Sequence, residues 1–227
     1  ETAAVVSIGN NSVTYHDGYA SDYTATYTGS EIQPTVSVKM GSSWLKAKTD
    51  YTVSYENNIN ASTDDQKAVA VIKGAGNYSG KEIRVTFTIK PQTISGTLNV
   101  STKKTYTGKE ITLSSGEYTL TKIGKTYVEG QDFELSYEDN TNAGTATVYA
   151  NGIGNYTGSV KATFTIQKLS LTDSHVVVEP EKIADQIYTG NQIKPDITLY
   201  YQHDDGTKRE ISNANYSLSY SNNKNIG

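Results

Sequence analysis

Gly152-Ile153-Gly154-Asn155-Tyr156-Thr157-Gly158 runs, after one serine, into Val160-Lys161-Ala162-Thr163-Phe164-Thr165-Ile166. Glycine and asparagine tolerate left-handed backbone, so the first part reads as a tight turn. The second part alternates apolar and polar residues, the period of a half-buried strand. Nearly the same text stands earlier, as Gly74-Ala75-Gly76-Asn77-Tyr78-Ser79-Gly80 and then Ile83-Arg84-Val85-Thr86-Phe87-Thr88-Ile89. The offset, 156 − 78 = 78 residues, is that of a small domain and not of a solenoid unit. No helix is expected after these glycines and no Lys-Ser/Thr pair accompanies them, so they do not read as a phosphate loop.

Working outward, three copies can be superposed. Each carries Tyr-Thr-Gly, at Tyr27, Tyr106 and Tyr188, with offsets of 106 − 27 = 79 and 188 − 106 = 82 residues. An isoleucine follows each, at Ile32, Ile111 and Ile193. A strand of the form aromatic-x-apolar-Ser-Tyr comes next, over Tyr51–Tyr55, Phe133–Tyr137 and Tyr216–Tyr220. Each is followed by an Asn-rich turn, Asn57–Asn60, Asp139–Asn142 and Asn222–Asn225. The first repeat opens with Val5, Val6 and Ile8, a turn at Asn10-Asn11, and Val13. The second lacks an equivalent of Pro34, and Ser115-Gly116 close by predicts an altered turn or bulge. In the third, Asp204-Asp205-Gly206 is a hairpin signal.

No stretch holds a 3.6-residue apolar period, so the expected fold is all-β: tandem immunoglobulin-like β-sandwich modules in an elongated array. The expected domains are residues 1–90, 91–167 and 168–227, the third incomplete at its C-terminus. The first link, Lys90-Pro91-Gln92, has no Gly/Ser tract and predicts a stiff joint.

Composition narrows the function. The 227 residues are 35% hydrophobic and 19% charged, low values that regular spacing of the apolar residues still reconciles with folding. Eighteen tyrosines, with much Thr, Asn and Gly, favour strands and turns. Net charge is −4 with basic residues scattered, which leaves no nucleic-acid footprint. No apolar run approaches a membrane span, so no membrane insertion is expected of this fragment. Glu1-Thr2-Ala3-Ala4 lacks the charged and apolar regions of a signal peptide. The absence of Cys excludes disulfides, thiolate metal sites and cysteine nucleophiles.

The second repeat carries the text Tyr-Thr-Gly-Lys-Glu-Ile, Gly-x-Asp-Phe-x-Leu-Ser-Tyr-x-Asp-Asn-Thr-Asn-Ala-Gly-Thr-Ala-Thr-Val, Gly-x-Gly-Asn-Tyr-Thr-Gly and Thr-Phe-Thr-Ile. This resembles the tandem extracellular immunoglobulin-like repeats of surface proteins from Gram-positive gut bacteria. The resemblance implies a stalk, adhesin or spacer at the bacterial cell surface. Stalk domains of that kind can carry a Lys–Asn or Lys–Asp isopeptide bond, which needs a buried lysine. Lys39, Lys73 and Lys161 fall on the outward parity of their strands, so no such bond is expected.

No catalytic constellation emerges. His16, His175 and His203 lack metal-ligand spacing and read as solvent-exposed. Asp64-Asp65 and Asp204-Asp205 lack the alternating oxygens of a calcium loop and read as turns. No metal and no cofactor is expected. The best binding candidates are aromatic: Trp44 at a hairpin, and Tyr149 and Tyr200, whose parity opposes inward neighbours. Such faces suit sugar rings or protein partners. The expected function is therefore a non-catalytic repeat module, extracellular and monomeric. The alternative is that the modules themselves bind a polysaccharide or a host protein such as an immunoglobulin.

Overall fold

The computed structural model describes residues 4–9, 18–80 and 82–225. Asn10-Asn11, Val13 and His16, named above, lie outside the described residues. The fold is all-β, and the described residues contain one short 3-10 turn, Asn213–Asn215, and no α-helix. The chain divides into two compact units, 1–100 with 118–136 and 148–162, and 101–117 with 137–147 and 163–227, so both draw on the second repeat.

The first repeat contributes β1 (Ala4–Ile8), β2 (Ala20–Thr26), β3 (Val36–Met40), β4 (Ser43–Trp44), β5 (Tyr51–Glu56), β6 (Ala68–Gly74) and β7 (Ile83–Lys90). They form two sheets, β1-β3-β4 and β2-β7-β6-β5. One apolar core joins them: Val6, Ile8, Val36 and Val38 from the first sheet meet Tyr51, Ala70, Val85, Phe87 and Ile89 from the second. Burying each large side chain stabilises the fold by about 1.5–3 kcal/mol. The Tyr23 and Tyr55 rings meet Phe87 edge-on, at centroid distances of 5.9 and 6.4 Å. Alternation holds through β5, where Tyr51 is buried and Thr52, Ser54 and Glu56 are exposed. Val71 departs from it. Its parity is outward, yet it is buried, because in register it lies between Ser54 and Arg84 and the Arg84 guanidinium pairs with Glu56 and Glu82 on that face.

The second repeat contributes β8 (Gln92–Thr93), β9 (Thr97–Val100), β10 (Lys104–Thr105), β11 (Tyr118–Lys122), β12 (Lys125–Thr126), β13 (Phe133–Glu138), β14 (Gly144–Gly152), β15 (Tyr156–Thr157) and β16 (Ser159–Gln167). Its sheets are β12-β11-β9 and β10-β16-β14-β13, with β8 and β15 paired separately. The order matches that of the first repeat: β10 runs parallel to β16 as β2 does to β7. The altered turn predicted at Ser115-Gly116 is present, closed by Glu117 N donating to Ser114 O at 3.0 Å with Gly116 at φ +91°.

The third repeat contributes β17 (Val176–Glu179), β18 (Thr198–Gln202) and β19 (Lys208–Glu210) in one sheet, with the expected turn at Asp204–Gly206 between β18 and β19. Leu199, Tyr201 and Ile211 form its core. The strand expected at Tyr216–Tyr220 is not formed. In the first repeat the like segment, β5, is a strand because β6 pairs with it along its whole length. No strand of the third sheet offers Tyr216–Tyr220 such a ladder.

A local clamp recurs in all three copies. Asn58, Asn140 and Asn223 each accept, through the backbone carbonyl, the N–H of Ile32, Ile111 and Ile193 at 2.8, 2.9 and 2.8 Å. Their side-chain amides return a bond to the same isoleucines' carbonyls at 3.1, 3.0 and 2.9 Å. The residue before each clamp asparagine, Asn57, Asp139 or Asn222, sits at φ +52°, +55° or +54°. Asn and Asp reach this region at less cost than other side chains, which explains the Asn-rich text. The tyrosine that ends each aromatic segment adds a tie two residues past the isoleucine. Tyr55 and Tyr220 donate to the carbonyls of Pro34 and Pro195. Leu113 has the N–H that proline lacks, and donates it to the Tyr137 hydroxyl at 3.0 Å.

Candidate functional site

The three aromatic candidates lie on three different sheets, at β4, β14 and β18. Trp44 is 60% exposed, with Lys39 Nζ 5.6 Å from the ring centroid. Tyr149 is half-buried between the buried Val148 and Ala150. Tyr200 is half-buried and faces Val177 and Glu210 in register.

The histidine reading needs correction. His175 and His203 are half-buried and flank Tyr201, His175 stacked on the ring at 5.5 Å and His203 edge-on at 4.9 Å. The turn that brings β18 back places Asp204 3.3 Å from His175 Nε2, while Asp173 lies 2.8 Å from Nδ1. These two carboxylates raise the His175 pKa. Asp205, in the same turn, is held down to about 2 by hydrogen bonds from Thr207. Among the described residues no group of three or more His, Asp or Glu is placed to hold a metal ion.

A polar and aromatic cluster lies where the first repeat meets the second, around the stretch quoted at the outset. The turn is fixed by its own repeat. Ile153 N–H donates to Asp132 O at 3.0 Å, and Gly152 N–H to Gly158 O at 2.8 Å. Gly154 sits at φ +60°, and a Cβ on Gly152 would lie 2.8 Å from Thr157 N, so both positions require glycine. Gly74 and Gly76 repeat this geometry, with Ala75 N–H donating to Asp50 O at 2.8 Å. The linker docks on the same turn: β8 pairs parallel with β15, Gln92 N–H donating to Asn155 O at 2.9 Å and Ile94 N–H to Thr157 O at 2.8 Å.

With its backbone so held, the turn presents two side chains to the first repeat. Asn155 Oδ1 accepts the Ala61 N–H at 2.7 Å, and Asn155 Nδ2 donates to Asn60 Oδ1 at 3.1 Å. The buried Tyr156 ring meets Tyr27 edge-on at 5.6 Å and Tyr127 at 5.2 Å. Lys125 Nζ lies 4.4 Å from the Tyr156 centroid and 4.9 Å from that of Tyr127, and donates to the Tyr156 hydroxyl. Burial disfavours the Lys125 ammonium, but the Tyr156 hydroxyl and the Asp132 carboxylate outweigh it and raise the pKa. Sequence reasoning found the turn and missed its partners, because a linker-to-turn pairing across some sixty residues leaves no local signal. One trace was available: Lys125 and Arg209 stand in the second hairpin strands of repeats two and three, where the first repeat has Ser43.

The arrangement can tie the turn of the second repeat to the loop of the first. Among the described residues no helix is long and apolar enough to cross a membrane. No protein-family model and no curated protein matches the sequence.

Proposed function

We propose that this chain is a non-catalytic segment of a bacterial cell-surface protein, built of tandem immunoglobulin-like sandwiches that act as a stalk or adhesin scaffold. The observation that carries the reading is the joint on Asn155 and Tyr156, where hydrogen bonds and edge-on rings tie the turn of one repeat to the loop of the one before it. A spacer that projects another domain needs such ties, since a flexible link would let the repeats fold back. The recurrence of the asparagine clamp in all three copies supports the same reading, as repetition serves a scaffold better than a catalyst.

Small-angle scattering tests it. The expected profile is that of an extended particle, and the double variant Asn155→Ala/Lys125→Ala is expected to broaden its distance distribution. A compact globule, or a distribution the double variant leaves unchanged, refutes the spacer. Exposed Trp44 beside Lys39 favours a second reading, in which the repeats bind a glycan or a host protein such as an immunoglobulin. Glycan-array and immunoglobulin pull-down screens with wild type and Trp44→Ala decide it; silence in both screens removes that reading.

A further inference from the structure

The joint on Asn155 has a counterpart in the other compact unit. Tyr27 N–H donates to Lys90 O, and Tyr106 N–H to Gln167 O, both at 2.9 Å, so the two tyrosines occupy like places beside their closing strands. Asn60 and Ala61 follow their clamp asparagine as Asn142 and Ala143 follow theirs. Tyr127 N–H bonds Leu120 O, and Ile211 N–H bonds Leu199 O, which aligns Tyr127 with Ile211 and, two residues earlier, Lys125 with Arg209. Ile94 and Leu171 each lie five residues beyond the last isoleucine of a Thr-Phe-Thr-Ile strand.

The residues that surround Asn155 and Tyr156 at the first joint are thus matched by Tyr106, Asn142, Ala143, Leu171, Arg209 and Ile211. These six line a single cleft of about 450 Å³. Its chemistry matches its counterpart's. The Arg209 guanidinium lies 5.3 Å from the Tyr106 centroid, and its Nε is buried with no hydrogen-bond partner among the described residues. At the first joint the matching cation, Lys125, donates to a tyrosine hydroxyl.

We propose that this cleft is a seat for a polypeptide turn of the sequence Gly-x-Gly-Asn-Tyr-Ser/Thr-Gly. The asparagine side chain takes the Ala143 N–H and the Asn142 side chain, the tyrosine ring lies against Tyr106, and its hydroxyl accepts from Arg209. The inference concerns a binding site and holds whether or not the whole chain serves as a stalk.

The probe is the capped peptide Gly-Ile-Gly-Asn-Tyr-Thr-Gly, titrated into the isotope-labelled full chain while backbone amide resonances are followed. Saturable shifts are expected at Asn142, Ala143, Leu171 and Arg209. A peptide with Ala in place of its Asn loses two hydrogen bonds, and binding at least about tenfold weaker is expected. Arg209→Ala and, separately, Asn142→Ala are expected to weaken binding while leaving the amide spectrum of the β5–β7 sheet in place. Equal shifts from the altered or a scrambled peptide overturn the proposal. So do shifts centred on Asn60 and Ala61, which would place the peptide at the first joint, and so does the same response to a neutral oligosaccharide.

Discussion

Replacing Asn58 with alanine isolates the side-chain half of the clamp. Asn58 is 8% exposed, and its amide donates to Ile32 O at 3.1 Å. The backbone half, Ile32 N–H to Asn58 O at 2.8 Å, survives the substitution. The loss is one neutral hydrogen bond and a poorly satisfied carbonyl, about 1.5 kcal/mol within a usual span of about 0.5–3 kcal/mol. Asn58→Asp is the sharper variant. At neutral pH its carboxylate would face the Ile32 carbonyl with no proton to donate, and the loss should exceed that of alanine. Protonation restores the donor, so the folded state holds the proton on the introduced carboxyl more tightly than the unfolded chain does. The pKa of that carboxyl is raised on folding, the donor's contribution is complete below about pH 4, and it is lost as pH rises through the folded value. Urea unfolding followed by far-UV circular dichroism gives the total. Hydrogen exchange over Tyr51–Glu56 and Ile83–Lys90 shows where protection falls. If both variants stay within about 0.5 kcal/mol of wild type, the ordinary range of a surface change, the clamp does not hold the fold. A pH dependence shared by the alanine variant would equally defeat the argument.

Three further outcomes follow from the same geometry. Gly152→Ala places a Cβ 2.8 Å from Thr157 N; a loss of about 1–3 kcal/mol is expected in urea unfolding, while Gly124→Ala, which meets no atom within 4 Å but keeps φ +77°, should cost less. Phe87→Ala removes a ring that is 1% exposed, and about 3–5 kcal/mol should be lost. His175 should titrate above its ordinary value of 6.5 in a proton NMR experiment, and Asp173→Asn should lower it, Asp173 being the larger cause of the shift. Because that pKa is raised on folding, the His175 contribution is complete below about pH 6.5 and fades as pH rises through the folded value.

How much of the fold is legible in the residues depends on the range of the interaction. The strands Ile83–Lys90 and Tyr51–Glu56 were legible because alternation is written into each segment and one face of each is buried. The glycine turns were legible because φ near +60° at Gly76 and Gly154 is a property of one residue. Tyr216–Tyr220 reads like the other two aromatic strands and is not one, because strand formation belongs to the pair and not to the segment. Val71 was outward by parity and is buried by a charged neighbour across the sheet. The repeated asparagines announced a turn; that the second one clamps an isoleucine some thirty residues earlier emerged only from the fold. Trp44, Tyr149 and Tyr200 were found from parity and position, signals that give facing and not proximity, and they lie on separate sheets.

The joint draws its order from the fold it is attached to. Asn155 and Tyr156 sit on a turn whose backbone is fixed by Asp132, by the Gly152–Gly158 bond and by the paired linker strand. The conformational entropy of that turn is therefore lost when the repeat folds, before the preceding repeat is met. Docking then orders little beyond the Asn155 side chain and the loop at Asn60-Ala61, since the Tyr156 ring is already packed beside Tyr127 and Lys125. Two hydrogen bonds and one edge-on ring pair contribute only a few kcal/mol in all, about 1 each. That suffices when the groups making them arrive preorganised, and it would not suffice between two flexible loops. The same preorganisation explains why the linker is short: with Gln92 and Ile94 bonded into the turn, the connection between repeats is part of the second repeat's own hydrogen-bond network and not a tether beside it.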